Sequence, residues 1–232
     1  LSSYVILSPI DTFDPILASS LLILTRPSII LLSQSRRDKI PSKDKIFCTL
    51  YILLFIDYIR FNKSKKMKKL NIIIIIVSDT RTTATDKSGK ALKRLISDAG
   101  HNVLKKIIIP DDIYKIRYSV SQYLVDEIVD VIITSGGTGI TGRDGTPEAV
   151  SILLDKKIEG FGEMFRSISY EKIKSSSLQT RALAGVANSK FIFVLPGSLD
   201  ACKTAWNEII RYQLDDKTKP CNLVMLMPRL KK

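Results

Sequence analysis

Residues 67–232 are predicted to form an α/β domain built on a mainly parallel sheet with helices on both sides. Three observations carry this expectation. Leu70–Val77 reads LNIIIIIV, a continuous β-branched run of the kind buried on both faces of a parallel sheet. Similar apolar runs then alternate with segments of helical periodicity, the βαβ pattern. The glycines mark the same boundary, because none of the 11 precedes Gly89.

The elements follow in order. After the first strand comes a polar loop, Ser78–Gly89. Ala91, Leu92, Leu95, Ile96 and Ala99 then recur at helical spacing, with Gly100 as the stop. Val103–Ile109 reads as a second strand, ended by Pro110-Asp111-Asp112, and Ile113, Ile116, Val120, Tyr123 and Leu124 mark the next helix. Val129–Thr134 is a third buried strand. Beyond its glycine-rich loop, Thr146 is expected to cap a helix with Pro147 at its first position. A helix over about Phe161–Ile168 precedes a fourth strand, Phe191–Leu195, and the last helix runs through Trp206 and Ile210. Phe161, Phe165 and Trp206 read as core or subunit interface. His101, the single histidine, reads as a turn residue at the edge away from the ligand loops.

Residues 1–66 differ. They hold two apolar runs, Ile16–Leu32, interrupted by Arg26-Pro27, and Ile46–Ile59, which contains Asp57. Spanning a bilayer takes about 20 mostly apolar residues, so neither run suits a membrane span. No basic start or cleavage site suggests a secretory signal. The expectation is that residues 1–66 lie outside the functional fold and that Met67 opens the domain.

The net charge of +13 divides into 10 Lys/Arg against 5 Asp/Glu in residues 1–66 and 26 against 18 in residues 67–232. The positives are scattered as pairs such as Lys68-Lys69, Lys105-Lys106 and Lys156-Lys157, with no aromatic-interleaved stripe. This is the pattern of a solvated surface that favours phosphate ligands rather than nucleic acid. Cys48, Cys202 and Cys221 form neither a CxxC pair nor a zinc spacing, which suits a reducing cytoplasm. One histidine excludes any site that needs two.

In parallel sheets, ligands bind beyond the carboxyl ends of the strands. That rule selects four loops: Ser78–Gly89, Pro110–Asp112, Ser135–Thr146 and Pro196–Ser198. In Ser135-Gly136-Gly137-Thr138-Gly139, glycines let backbone N–H groups approach an anion, but an ordinary tight turn has the same composition. It is neither a Walker loop nor a GxGxxG fingerprint. Ser198 is placed to cap the last helix, whose N-terminus favours phosphate. Asp112 and Glu148 have the commoner role of complementing helix N-termini. Asp111 and Asp144 come from different strand ends beside these loops, as a Mg²⁺–nucleotide site requires. Arg143 is a candidate for neutralising a transferring phosphoryl group, whereas Arg81 reads as an exposed surface arginine.

Four motifs in order, TSGGTGITGRDGTPEA (Thr134–Ala149), GFGEMFR (Gly160–Arg166), LPGS (Leu195–Ser198) and the ending DDKTKPCN, resemble the MoaB/MogA family of molybdenum cofactor biosynthesis proteins and molybdopterin adenylyltransferases. The resemblance covers roughly Lys69 to Lys232 and implies a three-layer α/β/α, Rossmann-like fold and a homotrimer or homohexamer. It implies transfer of the adenylyl group of Mg-ATP to the terminal phosphate of molybdopterin, with Asp111 and Asp144 as the two important aspartates and Mg²⁺ ligands. The substrate-binding positions it implies are Ser78, Ser135, Gly136, Gly137, Thr138, Gly139, Arg143, Glu148, Pro196, Gly197 and Ser198. The chain keeps Arg143-Asp144 and Thr146-Pro147-Glu148, as active members do, but has Gly145 where valine is common. The other activity open to this family is non-catalytic binding of the pterin and nucleotide.

Overall fold

Ile72, Ile74, Ile75 and Ile76 are fully buried in β1 (Asn71–Val77), and their side chains alternate between two separate apolar clusters, one on each face of the sheet. That is why the run carries no polar alternation. The computed structural model describes residues 68–230; the expectation for residues 1–66 lies outside them. Among the described residues, no helix is long and apolar enough to cross a membrane.

The chain continues through α1 (Lys87–Asp98), β2 (Asn102–Ile109), α2 (Ile113–Val125), β3 (Val131–Ser135), α3 (Thr146–Ser151), β4 (Lys156–Lys157) and α4 (Glu159–Ile173). A 3₁₀ turn, Lys174–Gln179, leads to β5 (Leu183–Ala187), β6 (Lys190–Leu195) and α5 (Leu199–Ala205). The last helix goes on through a π-helical turn, Trp206–Ile210, and a closing 3₁₀ turn covers Val224–Arg229.

The sheet order is β2-β1-β3-β6-β5-β4. β2, β1, β3 and β6 are mutually parallel, and β5 and β4 add antiparallel at one edge. The expected mainly parallel sheet is therefore present, with two strands that the sequence pattern did not disclose. Helices α1, α4 and α5 cover one face through Leu92, Ile96, Phe161, Phe165, Cys202 and Trp206. Helices α2 and α3 cover the other through Ile116, Val120, Ala149 and Val150. Phe161, Phe165 and Trp206 are all core residues, which settles the choice between core and interface.

His101 lies just before β2, at the rim where the parallel strands begin, as expected, but it is buried. The Leu70 N–H donates to its Nδ1 at 3.3 Å, and its ring meets Trp206 edge-on. Burial lowers its pKa below the ordinary imidazole value, against the opposing pull of Asp215 and Asp130. The unfolded chain therefore binds a proton at a higher pH than the folded one. Stability attributable to this group is complete above the unfolded value, near 6.5, and declines as pH falls below it. Thermal melts of the wild-type protein and His101→Asn between pH 8 and pH 5.5 should diverge on the acid side, with wild type losing more; parallel curves would refute this.

Candidate functional site

The strand order reverses at β1: the chain goes from β1 to β2 on one side and to β3 on the other. In open parallel sheets, ligands bind beyond the carboxyl ends of the strands at such a point. Gly136, immediately after β3, has φ +115°, and a Cβ there would come 2.1 Å from the Val77 carbonyl oxygen. Only a residue without a side chain lets the β3 loop lie directly against the end of β1. Gly137 follows with φ +62°. A Cβ on it would lie 2.3 Å from Thr146 Oγ1 and 2.7 Å from an Asp111 carboxylate oxygen. Gly137, Asp111 and Thr146 thus close on one small volume.

The second aspartate, Asp144, stands close enough for its charge to act on Asp111. Asp111 stands between β2 and α2, with its amide held by the Asp79 carboxylate at 3.3 Å, and one of its oxygens accepts from Gly145 N–H at 3.5 Å. Asp144 lies against Gly139, where a Cβ would be 2.6 Å from its carboxylate. Its Oδ2 accepts from the Thr141 amide at 2.9 Å and from the Thr141 hydroxyl. Burial pushes Asp111 above the usual carboxylate range; the Gly145 N–H opposes this, and the charges of Asp144 and Asp79 add to it. The Thr141 hydroxyl holds Asp144 below the usual range, despite some desolvation. Two neighbouring carboxyls pushed in opposite directions are a recurring property of sites that do chemistry.

Each remaining candidate has a definite place. Ser78 Oγ accepts from Arg81 N–H at 3.2 Å and so folds the start of the β1 loop. Ser135 is buried; its hydroxyl donates to the Pro196 carbonyl at 3.2 Å and lies 3.2 Å from Cys202 Sγ, which ties the third and fourth loops together beneath the surface. Desolvation raises the Cys202 thiol to about 11. Thr138 is buried. Ser198 caps α5 by accepting from Ala201 N–H at 3.2 Å, as expected. Arg143 pairs with the Asp79 carboxylate across the mouth of the site.

Two expectations are corrected. Thr146 does not cap α3: Gly145 holds the N-cap position and makes no side-chain bond, while Thr146 belongs to the helix. Its hydroxyl is left buried without a hydrogen-bond partner, facing Gly137 and Asp111. Arg81 is not a free surface arginine. It donates to the Gly197 carbonyl at 2.7 Å and to Ser88 Oγ, linking the β1 loop to the Pro196–Ser198 turn. Ser88 in turn adjoins Asp86, which is fully buried, caps α1 through Gly89 N–H at 2.7 Å and pairs with Lys106.

Arg181 and Asp79 were not singled out by the sequence. Arg181 binds the Gly139 and Asp144 carbonyls, each at 2.8 Å, and the Glu148 carboxylate. Neither residue belongs to a spacing pattern; both are found only once the loops are brought together.

Among the described residues, no cluster of three or more His, Cys, Asp or Glu side chains is arranged to hold a metal. A closed, all-protein site is not what these loops offer. Two carboxylates beside backbone amides suit Mg²⁺, which completes its shell with water and phosphate oxygens. Burial is the main cause that raises Asp111, with the charges of Asp144 and Asp79 adding to it, and a divalent cation would offset both. The residues therefore fit Mg²⁺.

Residues 73–216 match the family described as "Probable molybdopterin binding domain". Molybdenum cofactor biosynthesis protein B of Escherichia coli is 47% identical over 155 residues, covering 67% of this chain and 89% of that protein. The Bacillus cereus protein of the same name is 51% identical over 138 residues, covering 59% and 82%. A crystal structure of molybdenum cofactor biosynthesis protein B superimposes with a TM-score of 0.65 at 43% identity, covering 72% of this chain and 98% of that one. The tungsten cofactor synthesizing protein MoaB of Pyrococcus furiosus gives 0.58 at 32% identity, covering 71% and 99%. Matched through most of its described length in both sequence and fold, the chain belongs to the MoaB/MogA family of molybdenum cofactor biosynthesis proteins.

Proposed function

We propose that the chain adenylylates molybdopterin with Mg-ATP. A terminal phosphate oxygen of molybdopterin forms a bond to the α-phosphorus of ATP, and the bond to the β-phosphate oxygen breaks. Adenylyl-molybdopterin and pyrophosphate result. The observation that carries this reading is the closure of Asp111, Gly137 and Thr146 on one volume at the strand-order reversal, with Asp144 at the next glycine.

The attacking group is a phosphate, largely ionised near neutral pH because its second pKa is about 6, so no general base is needed. That agrees with a chain whose single histidine lies at the other rim. Positioning and charge neutralisation dominate such transfers. Asp111 and Asp144 would hold Mg²⁺, which, when bound, draws charge from the phosphate oxygens. The Gly136–Gly139 backbone cradles the nucleotide phosphates, and the buried Thr146 hydroxyl is a donor in reserve beside them. Ser198 and the Pro196–Gly197 turn receive the pterin phosphate. Arg143, released from Asp79, meets the departing pyrophosphate. As the resemblance implies, the working unit is a homotrimer or homohexamer.

The test is direct. The protein, incubated with molybdopterin, ATP and Mg²⁺, should release one pyrophosphate per molybdopterin consumed. Pterin and nucleotide binding without pyrophosphate would leave a carrier instead of an enzyme.

A further inference from the structure

We propose that Arg181 is the positioning residue that holds Asp144 at the anion-binding loop; this deepens, and rests on, the nucleotidyl-transfer reading. Arg181 lies outside that loop, just before β5. Its Nε donates to the Gly139 carbonyl and its Nη2 to the Asp144 carbonyl, each at 2.8 Å, and its Nη1 meets the Glu148 carboxylate. Gly139 and Asp144 are the two ends of one exposed loop, and Glu148 is in the first turn of α3. One planar guanidinium therefore fixes both ends of the loop and the helix that follows it.

The loop has little else to hold it. Its internal bonds all converge on Asp144, from Thr141 and from the Gly139 amide. Its outer tie, Arg143 to Asp79, is an exposed ion pair of the kind that contributes little to order. From outside the loop, Arg181 holds the Asp144 backbone, and the carboxylate is then oriented by Thr141 and the Gly139 amide.

The full-length chain carrying Arg181→Gln should release pyrophosphate about 100-fold more slowly, the cost of misplacing a reacting group by about 1 Å, with about tenfold more Mg²⁺ needed for half-maximal rate and the KM for molybdopterin within about twofold. Arg181→Lys keeps the charge but not the fork, so it should resemble the glutamine variant. A lysine variant at the wild-type rate overturns the proposal, as does a glutamine variant with unaltered Mg²⁺ dependence. Equal losses in Mg²⁺ and molybdopterin affinity also overturn it, since they report general loosening. If the unsubstituted chain binds Mg-ATP by calorimetry yet releases no pyrophosphate, the transfer reading falls alone. A tenfold weaker Mg-ATP affinity in Arg181→Gln then still supports positioning, and equal affinity defeats it. A chain that binds no Mg-ATP defeats both.

Discussion

Asp144→Asn should lower pyrophosphate release by roughly 10²–10³-fold while leaving the melting temperature nearly unchanged. The structure gives the reason for the second half, and the proposed mechanism gives the first. Asp144 accepts from the Thr141 amide and hydroxyl through one oxygen, and an asparagine carbonyl in that place still accepts. The carboxylate also accepts from the Gly139 amide, which an asparagine carbonyl oxygen can still do. In the proposed mechanism, the substitution removes one of two negative charges that would face Mg²⁺. Metal stabilisation of transferring charge is worth several kcal/mol, and each 1.36 kcal/mol is tenfold in rate, which sets the size of the loss. Steady-state kinetics with saturating ATP, beside a thermal melt, would check it. Full activity in the variant would remove Asp144 from the mechanism.

Gly136→Ala should be the most damaging of the small substitutions to stability. Its φ of +115° is a conformation that side chains rarely adopt, and the new methyl would lie 2.1 Å from the Val77 carbonyl oxygen. Both sides of the clash are backbone, so neither can rotate away. Strained backbone costs about 1–3 kcal/mol, and displacing the β3 loop from β1 adds to it. For a domain of this size each kcal/mol lowers Tm by about 2–4 °C, so a fall of roughly 6–12 °C is expected. Differential scanning calorimetry would measure it; a shift under about 2 °C would mean that the two strand ends are not in contact.

The parallel part of the fold was legible because buried strands leave a mark in composition. Leu70–Val77 and Phe191–Leu195 have no polar alternation, since both sheet faces are covered. β5 left no such mark. Leu183–Ala187 is built from small residues because the chain passes close by: a Cβ on Gly185 would lie 2.6 Å from the Lys156 carbonyl oxygen. The position of the four candidate loops was also legible, as it follows from strand polarity alone. Thr146 was misread because a hydroxyl before proline resembles a cap, whereas Gly145 takes that place. Arg81 and Arg181 escaped for a different reason. Their main partners include the backbone carbonyls of Gly197, Gly139 and Asp144, and a carbonyl carries no sequence signature.

β4 is two residues long, both lysines and both exposed, and it closes one side of the sheet. Two residues offer an incoming peptide almost no ladder of free N–H and C=O groups, and paired ammonium groups repel a second edge of the same kind. A stray strand has little to grip there, so the sheet ends where the chain ends it.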